Sequence, residues 1–162
     1  MTLTIHASTV ALGEHGVLVR GVAGAGKSAL CLSLVEQWQR HGAFAALVAD
    51  DRTALTRHGH RLIARPAATL AGFVEVRGAG IVPIKFIEAV RLTAVVDLAP
   101  APERMPEAGE QTTDLSGIFL PRIMLHELAG PQGAVDLWHV LGPNGLTFND
   151  RATQRDLSED RA

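Results

Sequence analysis

The chain has 162 residues and a formal net charge of −2, with 47% hydrophobic and 20% charged residues. These values are typical of one globular domain and give no reason to expect nucleic acid or an anionic membrane as a partner. The lone cysteine, the lack of a signal-peptide pattern and the lack of any apolar stretch near the ~20 residues of a membrane helix predict a cytoplasmic protein.

The first predicted elements enclose a glycine-rich segment. Apolar and β-branched residues predict a strand over 2–12, a tight turn at 13–16 and a second strand over 16–20, which would pair antiparallel. Apolar residues at helical spacing later predict a helix that ends at 40–42. Between that strand and that helix the chain fits the pattern G-x-x-x-x-G-K-[ST], with Gly21, Val22, Ala23, Gly24, Ala25, Gly26, Lys27 and Ser28.

This segment is predicted to hold the phosphates of a nucleotide. The backbone N–H groups of such a loop point at phosphate oxygens, Lys27 would reach the β- and γ-phosphates, and the Ser28 hydroxyl would hold Mg²⁺. A glycine-rich turn without a ligand is the alternative. The strand before the segment and the helix after it favour the phosphate site.

Acidic residues mark the ends of two predicted strands. Asp50 and Asp51 follow a buried strand over 43–49, and Asp97 lies near the end of a strand over 92–98. Either position could supply the second acidic motif of a P-loop protein. Neighbours on a strand point to opposite faces, so one aspartate of the pair could face the phosphates while the other orients basic groups. An aspartate near the γ-phosphate can accept the proton of an attacking hydroxyl, and solvated strand ends are the alternative.

The rest of the chain is predicted to alternate strands, turns and short helices. We expect a hairpin over 52–65, a link over 66–72, a strand–turn–strand over 73–82, a short helix over 86–90, an exposed loop over 99–113, an edge strand over 118–125 and a helix over 134–141. Residues 1–148 would form one domain, and 149–162 a polar, disordered tail.

Glu75 and Arg77 share a strand face, either as an exposed ion pair or as a magnesium carboxylate with a cation beside it.

Four segments, in this order, resemble the catalytic domain of the HPr kinase/phosphorylase family, bacterial enzymes that phosphorylate a serine of the phosphocarrier protein HPr. They are His6 on the first strand, the 21–28 loop, Leu-Val-Ala-Asp-Asp at 47–51 and Glu-Val-Arg-Gly-Ala-Gly-Ile at 75–81. The last segment is far more specific than the loop alone. The resemblance covers nearly the whole chain and implies an α/β P-loop fold with a mixed sheet, similar to phosphoenolpyruvate carboxykinase.

The resemblance also implies roles for individual residues. Asp50 is similar to the family's proton acceptor, with Asp51 beside it. Lys27 is similar to the lysine that grips the phosphates, and Ser28 and Glu75 to the magnesium-binding positions.

Two further positions, His6 and Arg104, take their roles from the same resemblance. His6 matches the family's active-site histidine, because its distance ahead of the phosphate loop is the one that the family uses. Arg104 resembles an arginine of the family's mobile loop. Lys27, together with Arg77 or Arg104, would offset the charge that develops during phosphoryl transfer.

Two departures from the family pattern change what is expected. Longer members carry a separate N-terminal domain, whereas His6 here follows Met1 almost at once, so we expect a catalytic unit without that domain. The family usually has a Pro-Val-x-x-Gly-Arg-Asn-like stretch that serves dephosphorylation, and the corresponding residues 125–133 lack its arginine. The missing arginine therefore makes kinase chemistry the more secure expectation and leaves the phosphorylase activity open.

These inferences together predict a protein-serine kinase of the HPr kinase type. It would use ATP and Mg²⁺, with HPr as the phosphoacceptor. A P-loop kinase for another protein or a small molecule is the first alternative, and a regulatory protein that senses ATP without transferring phosphate is the second. Homo-oligomerisation is left open.

Overall fold

The structure combines a mixed sheet, two helices and a separate hairpin. It is a computed structural model that describes residues 1–67, 71–105 and 107–143. The strands are β1 (Thr2–Ile5), β2 (Ala7–Leu12), β3 (His15–Arg20), β4 (Ala45–Ala49), β5 (Thr53–His58), β6 (Arg61–Pro66), β7 (Phe73–Val76), β8 (Gly80–Pro83), β9 (Val90–Ala99), β10 (Thr112–Leu115) and β11 (Ile118–His126). The helices are α1 (Lys27–Arg40) and α2 (Gly130–Leu141), and β7 and β8 form the hairpin.

The strand order brings three strand ends to one edge of the sheet. The order is β1-β5-β6-β9-β3-β2-β4, and β11 pairs with β9 and β10. β3 is parallel to β9, whereas β2 is antiparallel to both β3 and β4. β3, β4 and β9 therefore point the same way. The loop after β3 and the acidic residues after β4 consequently lie at the same edge.

Helix α1 packs on one face of the sheet because its apolar side chains recur three and four residues apart. Cys31, Leu34 and Trp38 are buried there, in a cluster that includes Leu137 of α2. Trp138 packs edge-on against Trp38, with the ring centroids 4.9 Å apart. Burial raises the pKa of the Cys31 thiol, so this cysteine serves as a small core residue.

The opposite face of the sheet is also covered. Val17 and Val19 belong to the cluster under the helices, whereas Leu18 between them belongs to a second cluster with Leu55 and Leu62. This alternation is what a strand buried on both faces requires. Across the described residues, no helix is long and apolar enough to cross a membrane.

The predicted α/β class with a mixed sheet in one domain is confirmed. The predicted antiparallel pair is β2 with β3, the predicted hairpin over 52–65 is β5 with β6, and the two long helices are α1 and α2. The expected tail at 149–162, and part of the expected link at 66–72, lie outside the described residues.

Three predicted elements are wrong in detail. Residues 86–90 do not form a helix: Phe86 bridges Leu47 of β4, and the Ile87 N–H donates to the Leu47 carbonyl at 3.0 Å. Residues 2–12 form two strands rather than one, because β1 pairs with β5 while β2 pairs with β3 and β4. The loop predicted over 99–113 already contains a 3₁₀ turn at Ala108–Gln111 and the start of β10.

Candidate active site

The glycine-rich segment connects β3 to α1 at the sheet edge just described. Gly24 and Gly26 have φ values of 81° and 92°, a region that side chains other than glycine rarely adopt. A Cβ at Gly21 would lie 3.0 Å from the Cβ of Ala25 and 3.2 Å from the Cβ of Leu98. The loop is therefore tightly folded, and it presents the N–H groups of the first helical turn, an arrangement that binds phosphate.

The lysine of the loop folds back onto the loop itself. The Lys27 side chain is 5% exposed, and its Nζ donates to the carbonyls of Gly21 at 3.1 Å and Val22 at 3.3 Å. Val22 and Ala23 are exposed at the tip of the loop. A nucleotide phosphate placed on the loop would offer Lys27 anionic oxygens in place of these two carbonyls.

Asp50 connects the end of β4 to the first turn of α1. The Ser28 hydroxyl donates to Oδ1 of Asp50 at 2.7 Å, and the buried Ser8 hydroxyl donates to the same oxygen at 3.0 Å. Hydroxyl and carboxylate oxygens are the hard ligands that Mg²⁺ prefers, and Mg²⁺ is usually bound by one or two carboxylates with waters and phosphates. Ser28 and Asp50 therefore fit the ion that the sequence predicts at Ser28.

Asp51 contacts a different set of side chains. Its Oδ1 lies 2.5 Å from Nε2 of His6 and 3.8 Å from Nζ of Lys27. Its backbone N–H donates to the Ser8 hydroxyl at 2.9 Å. The side chains of His6 and Asp51 are 50% and 57% exposed, so an incoming substrate can reach this carboxylate.

His6 reaches this position because the chain changes sheet partners at that residue. It lies between β1, which pairs with β5, and β2, which pairs with β3 and β4. The structure thus brings five of the predicted site residues together at the phosphate loop: His6, Lys27, Ser28, Asp50 and Asp51.

Glu75 and Arg77 lie on the separate hairpin. Glu75 is opposite Ile81 in the β7–β8 pair, and Arg77 follows in the turn; both are exposed. No hydrogen bond or ion pair among the described residues joins them to each other, to the loop or to the aspartates. Nor does the described part of the chain contain a group of three or more His, Cys, Asp or Glu side chains that could hold a metal ion. The metal role of Glu75 and the charge role of Arg77 stay predictions.

Arg104 lies in the loop that follows β9. Its side chain is exposed, and it has no hydrogen bond or ion pair within residues 1–67, 71–105 and 107–143. The role that the sequence predicts for it stays a prediction.

Asp97, the other acidic candidate, is held by two arginines. Nε and Nη2 of Arg20 donate to its two carboxylate oxygens, both at 2.7 Å, and Nε of Arg122 donates to Oδ2 at 2.5 Å. Burial raises the pKa of Asp97, but the hydrogen bonds from Arg20 and Arg122 outweigh burial and hold the pKa below its usual range. Of the two acidic strand ends, the Asp50–Asp51 pair is therefore the one with side chains directed at the loop.

Two residues of the site have no counterpart among the sequence predictions. Ser8 contacts both aspartates, and its sequence signal is a polar residue inside the fully buried strand β2. Leu128 has a φ of 59°, and its N–H donates to the Ala25 carbonyl at 2.9 Å. A Cβ at Gly26 would lie 3.3 Å from the Cα of Leu128. Local sequence patterns do not predict that contact, because residue 128 is about a hundred positions away from the loop.

Comparison with known proteins shows the family to which the chain belongs. The family model for the HPr Serine kinase C-terminal domain matches residues 1–99 of the 162. The chain belongs to this family. The matched range contains His6, the phosphate loop, both aspartates and the Glu75–Arg77 hairpin, and it ends before Arg104.

Individual relatives of the HPr kinase family are longer than this chain. The HPr kinase/phosphorylase of Chlorobium phaeobacteroides (strain BS1) is 35% identical over 132 residues, which cover 74% of this chain and 37% of the relative. The HPr kinase/phosphorylase of Bordetella pertussis is 33% identical over 147 residues, which cover 83% of this chain and 46% of the relative. The chain spans less than half of the length of these curated relatives.

A solved structure supports the fold. The Hpr(Ser) kinase/phosphatase from Coxiella burnetii superposes with a TM-score of 0.75 and 23% sequence identity, covering 96% of this chain and 98% of that chain. The α/β fold of this chain is therefore the one seen in that protein.

Proposed function

We propose that the chain transfers the γ-phosphoryl group of ATP to a serine hydroxyl of HPr. The observation that carries this proposal is the division of the acidic pair: Asp50 bonds to Ser28 of the phosphate loop, whereas Asp51 contacts His6 and lies 3.8 Å from Lys27 Nζ. Membership of the HPr kinase family supports HPr as the acceptor.

ATP would bind with its phosphates against the N–H groups of the 21–28 loop. The Lys27 ammonium would exchange its bonds to the Gly21 and Val22 carbonyls for β- and γ-phosphate oxygens. Ser28, Asp50 and, from the hairpin, Glu75 would hold Mg²⁺. The ion would supply charge neutralisation between the β- and γ-phosphates.

Asp51, rather than Asp50, is the residue that we propose as the proton acceptor, which reverses the assignment expected from the sequence. Both hydroxyl donors to Asp50 come from residues of the scaffold, Ser8 and Ser28. A carboxylate that orients the metal-binding hydroxyl is poorly placed to receive a substrate proton as well. Asp51 is exposed, and Nε2 of His6 lies 2.5 Å from its Oδ1, so its second oxygen would be available to a substrate.

In the reaction, the serine hydroxyl gives its proton to Asp51 as its oxygen attacks the γ-phosphorus. The new O–P bond forms while the bond from the γ-phosphorus to the β,γ-bridging oxygen breaks, so that ADP leaves with that electron pair. Lys27 offsets the charge on the phosphate oxygens, and the exposed Arg77 and Arg104 are the candidates for a further cation. His6 keeps the Asp51 carboxylate oriented towards the nucleophile.

We propose that the forward, kinase direction dominates. Attack of inorganic phosphate on a phosphoserine brings two anions together and therefore needs an extra cation. The 125–133 stretch supplies no arginine, and Arg122, just before it, donates to Asp97. The relatives' names include a phosphorylase activity. The lack of an arginine in the 125–133 stretch would reduce that activity in this chain more than the kinase activity.

The test is transfer of label from [γ-³²P]ATP to purified HPr with Mg²⁺. We expect one labelled serine per HPr molecule and no label on HPr whose acceptor serine is replaced by alanine. The Lys27→Met variant serves as the enzyme control. A chain that binds ATP tightly and labels no HPr would refute HPr as the acceptor.

A further inference from the structure

We propose that Ser8 is a positioning residue that sets the orientation of both aspartates, an inference that rests on the proposed function for its kinetic consequence. Ser8 lies on β2, two residues after His6, and its side chain is fully buried. Its hydroxyl donates to Oδ1 of Asp50 at 3.0 Å and accepts the backbone N–H of Asp51 at 2.9 Å. One buried group therefore bonds to both members of the pair.

The Asp51 backbone needs such a partner because its conformation is unfavourable. Its φ is 62°, in the left-handed region that residues with a Cβ seldom adopt. The Arg52 N–H donates to the Asp50 carbonyl at 2.7 Å, which closes a three-residue turn around Asp51. Turns of this size with a positive φ at the centre are rare and strained. They persist where the surrounding structure holds them.

A hydroxyl is suited to this position because it can donate and accept at once. The O–H of Ser8 is used by Asp50, and a lone pair of the same oxygen is used by Asp51. Alanine would leave the Asp51 N–H without that acceptor and would take one of the two donors from Asp50, which would keep only Ser28. The turn would then be free to relax, and the Asp51 carboxylate would move away from His6 and Lys27.

The irregular pairing of β2 with β4 explains why Ser8 reaches the aspartates. The register shifts between Thr9 and Val10, so that Thr9 is opposite Ala49 while Val10 is opposite Leu47. This shift places the chain after β4 alongside Ser8. Bulges of this kind often redirect side chains next to active sites.

The neighbouring residue offers a matched control. Thr9 is also fully buried on β2, but its hydroxyl pairs with that of Thr53 at 2.9 Å and touches neither aspartate. Thr9→Val removes a buried hydroxyl from the same strand while leaving the acidic pair intact. It therefore reports the cost of losing a buried hydrogen bond without losing the positioning contact.

The first experiment measures single-turnover phosphoryl transfer and the KM for ATP in Ser8→Ala, Ser8→Thr and Thr9→Val. We expect Ser8→Ala to lower the transfer rate by about tenfold or more while its KM for ATP stays within about threefold of the wild type. Ser8→Thr, which keeps the hydroxyl, should recover most of the rate, and Thr9→Val should keep it. A wild-type rate in Ser8→Ala, or an equal loss in folded Ser8→Thr, would overturn the proposal.

The second experiment measures the stability of the Asp51 turn independently of activity, as the rate of amide hydrogen exchange at the Asp51 N–H. We expect exchange to be faster by about tenfold or more in Ser8→Ala and unchanged in Thr9→Val. Unchanged exchange in Ser8→Ala would refute the positioning role. If the wild type transfers no phosphate to HPr, the proposed function fails on its own, and the exchange result still decides whether Ser8 holds the turn.

Discussion

The Ser28 hydroxyl and the Asp50 carboxylate are joined by a 2.7 Å hydrogen bond, which ties the first turn of α1 to the end of β4. The next residue, Asp51, turns away through a left-handed backbone and places its carboxylate 2.5 Å from His6. Adjacent aspartates at one strand end therefore have separate surroundings. In the proposed mechanism, Asp50 serves the hydroxyl of Ser28 at the metal and Asp51 serves the nucleophile.

Replacing the loop lysine should weaken nucleotide binding without unfolding the protein. In Lys27→Met the side chain keeps its length but loses the charge that would meet the β- and γ-phosphates. We expect affinity for a fluorescent ATP analogue to fall by about tenfold or more, with a melting temperature close to that of the wild type. Analogue affinity equal to that of the wild type would argue against a phosphate site at the loop.

Asp50→Asn should weaken the binding of nucleotide specifically when magnesium is present. Asparagine can still accept the Ser28 hydrogen bond, but it lacks the negative charge that favours a divalent cation. We expect Mg²⁺ to increase nucleotide affinity in the wild type and to increase it much less in the variant. Titration of the analogue with Mg²⁺ and with EDTA measures both values. An identical magnesium effect in the two proteins would exclude Asp50 from the metal site.

Gly26→Ala should disrupt the loop more than a comparable glycine change elsewhere. Gly26 has a φ of 92°, and a Cβ there would lie 3.3 Å from the Cα and Cδ2 of Leu128. Gly59→Ala is the control, because Gly59 has a φ of 60° in an open hairpin turn with no atom within 4 Å of an added Cβ. Both variants should lose about 1–2 kcal/mol of stability. Only Gly26→Ala should also lose nucleotide affinity, and equal affinities would contradict the prediction.

Asp97→Asn should destabilise the protein in a pH-dependent way. The arginine bonds hold the pKa of Asp97 below its usual value, so its stabilisation is present above the unfolded-state pKa of about 3.9 and is lost as pH falls through the folded-state value. We expect a loss of about 2 kcal/mol at pH 7, with the difference from the wild type shrinking below about pH 4.

The control for that experiment is Asp136→Asn, since Asp136 is exposed on α2. Urea denaturation at several pH values gives the free energies of unfolding for both variants. A difference between the wild type and Asp97→Asn that does not change with pH would contradict the role of the two arginines.

Local patterns in the sequence predict much of the fold but not the long-range contacts that shape the site. The spacing of Leu30, Leu34 and Trp38 is sufficient to predict α1, and the motif identifies the phosphate loop. Period-two reasoning separates the surroundings of Asp50 and Asp51, but it does not predict that the Asp51 N–H, in its left-handed turn, donates to Ser8, 43 positions earlier. The short helix expected at 86–90 fails for a similar reason, since Phe86 pairs with Leu47 instead.

The metal and charge roles expected for Glu75, Arg77 and Arg104 depend on contacts with a nucleotide. The first two lie on an exposed hairpin and the third in an exposed loop. The 75–81 segment, which holds Glu75 and Arg77, carries the resemblance to the family, and Arg104 lies outside it. The distances of all three side chains to a phosphate depend on bound ATP. These assignments therefore remain predictions for binding experiments.

The most direct test of the proposed mechanism compares Asp51→Asn with Asp50→Asn in a single turnover with [γ-³²P]ATP and HPr. At saturating Mg²⁺ and ATP, we predict that Asp51→Asn binds nucleotide like the wild type but transfers phosphate at least about a hundredfold more slowly. Asp50→Asn should recover a substantial part of the wild-type rate once its weaker magnesium binding is saturated. A wild-type rate in Asp51→Asn, with transfer abolished in magnesium-saturated Asp50→Asn, would contradict the mechanism and make Asp50 the base.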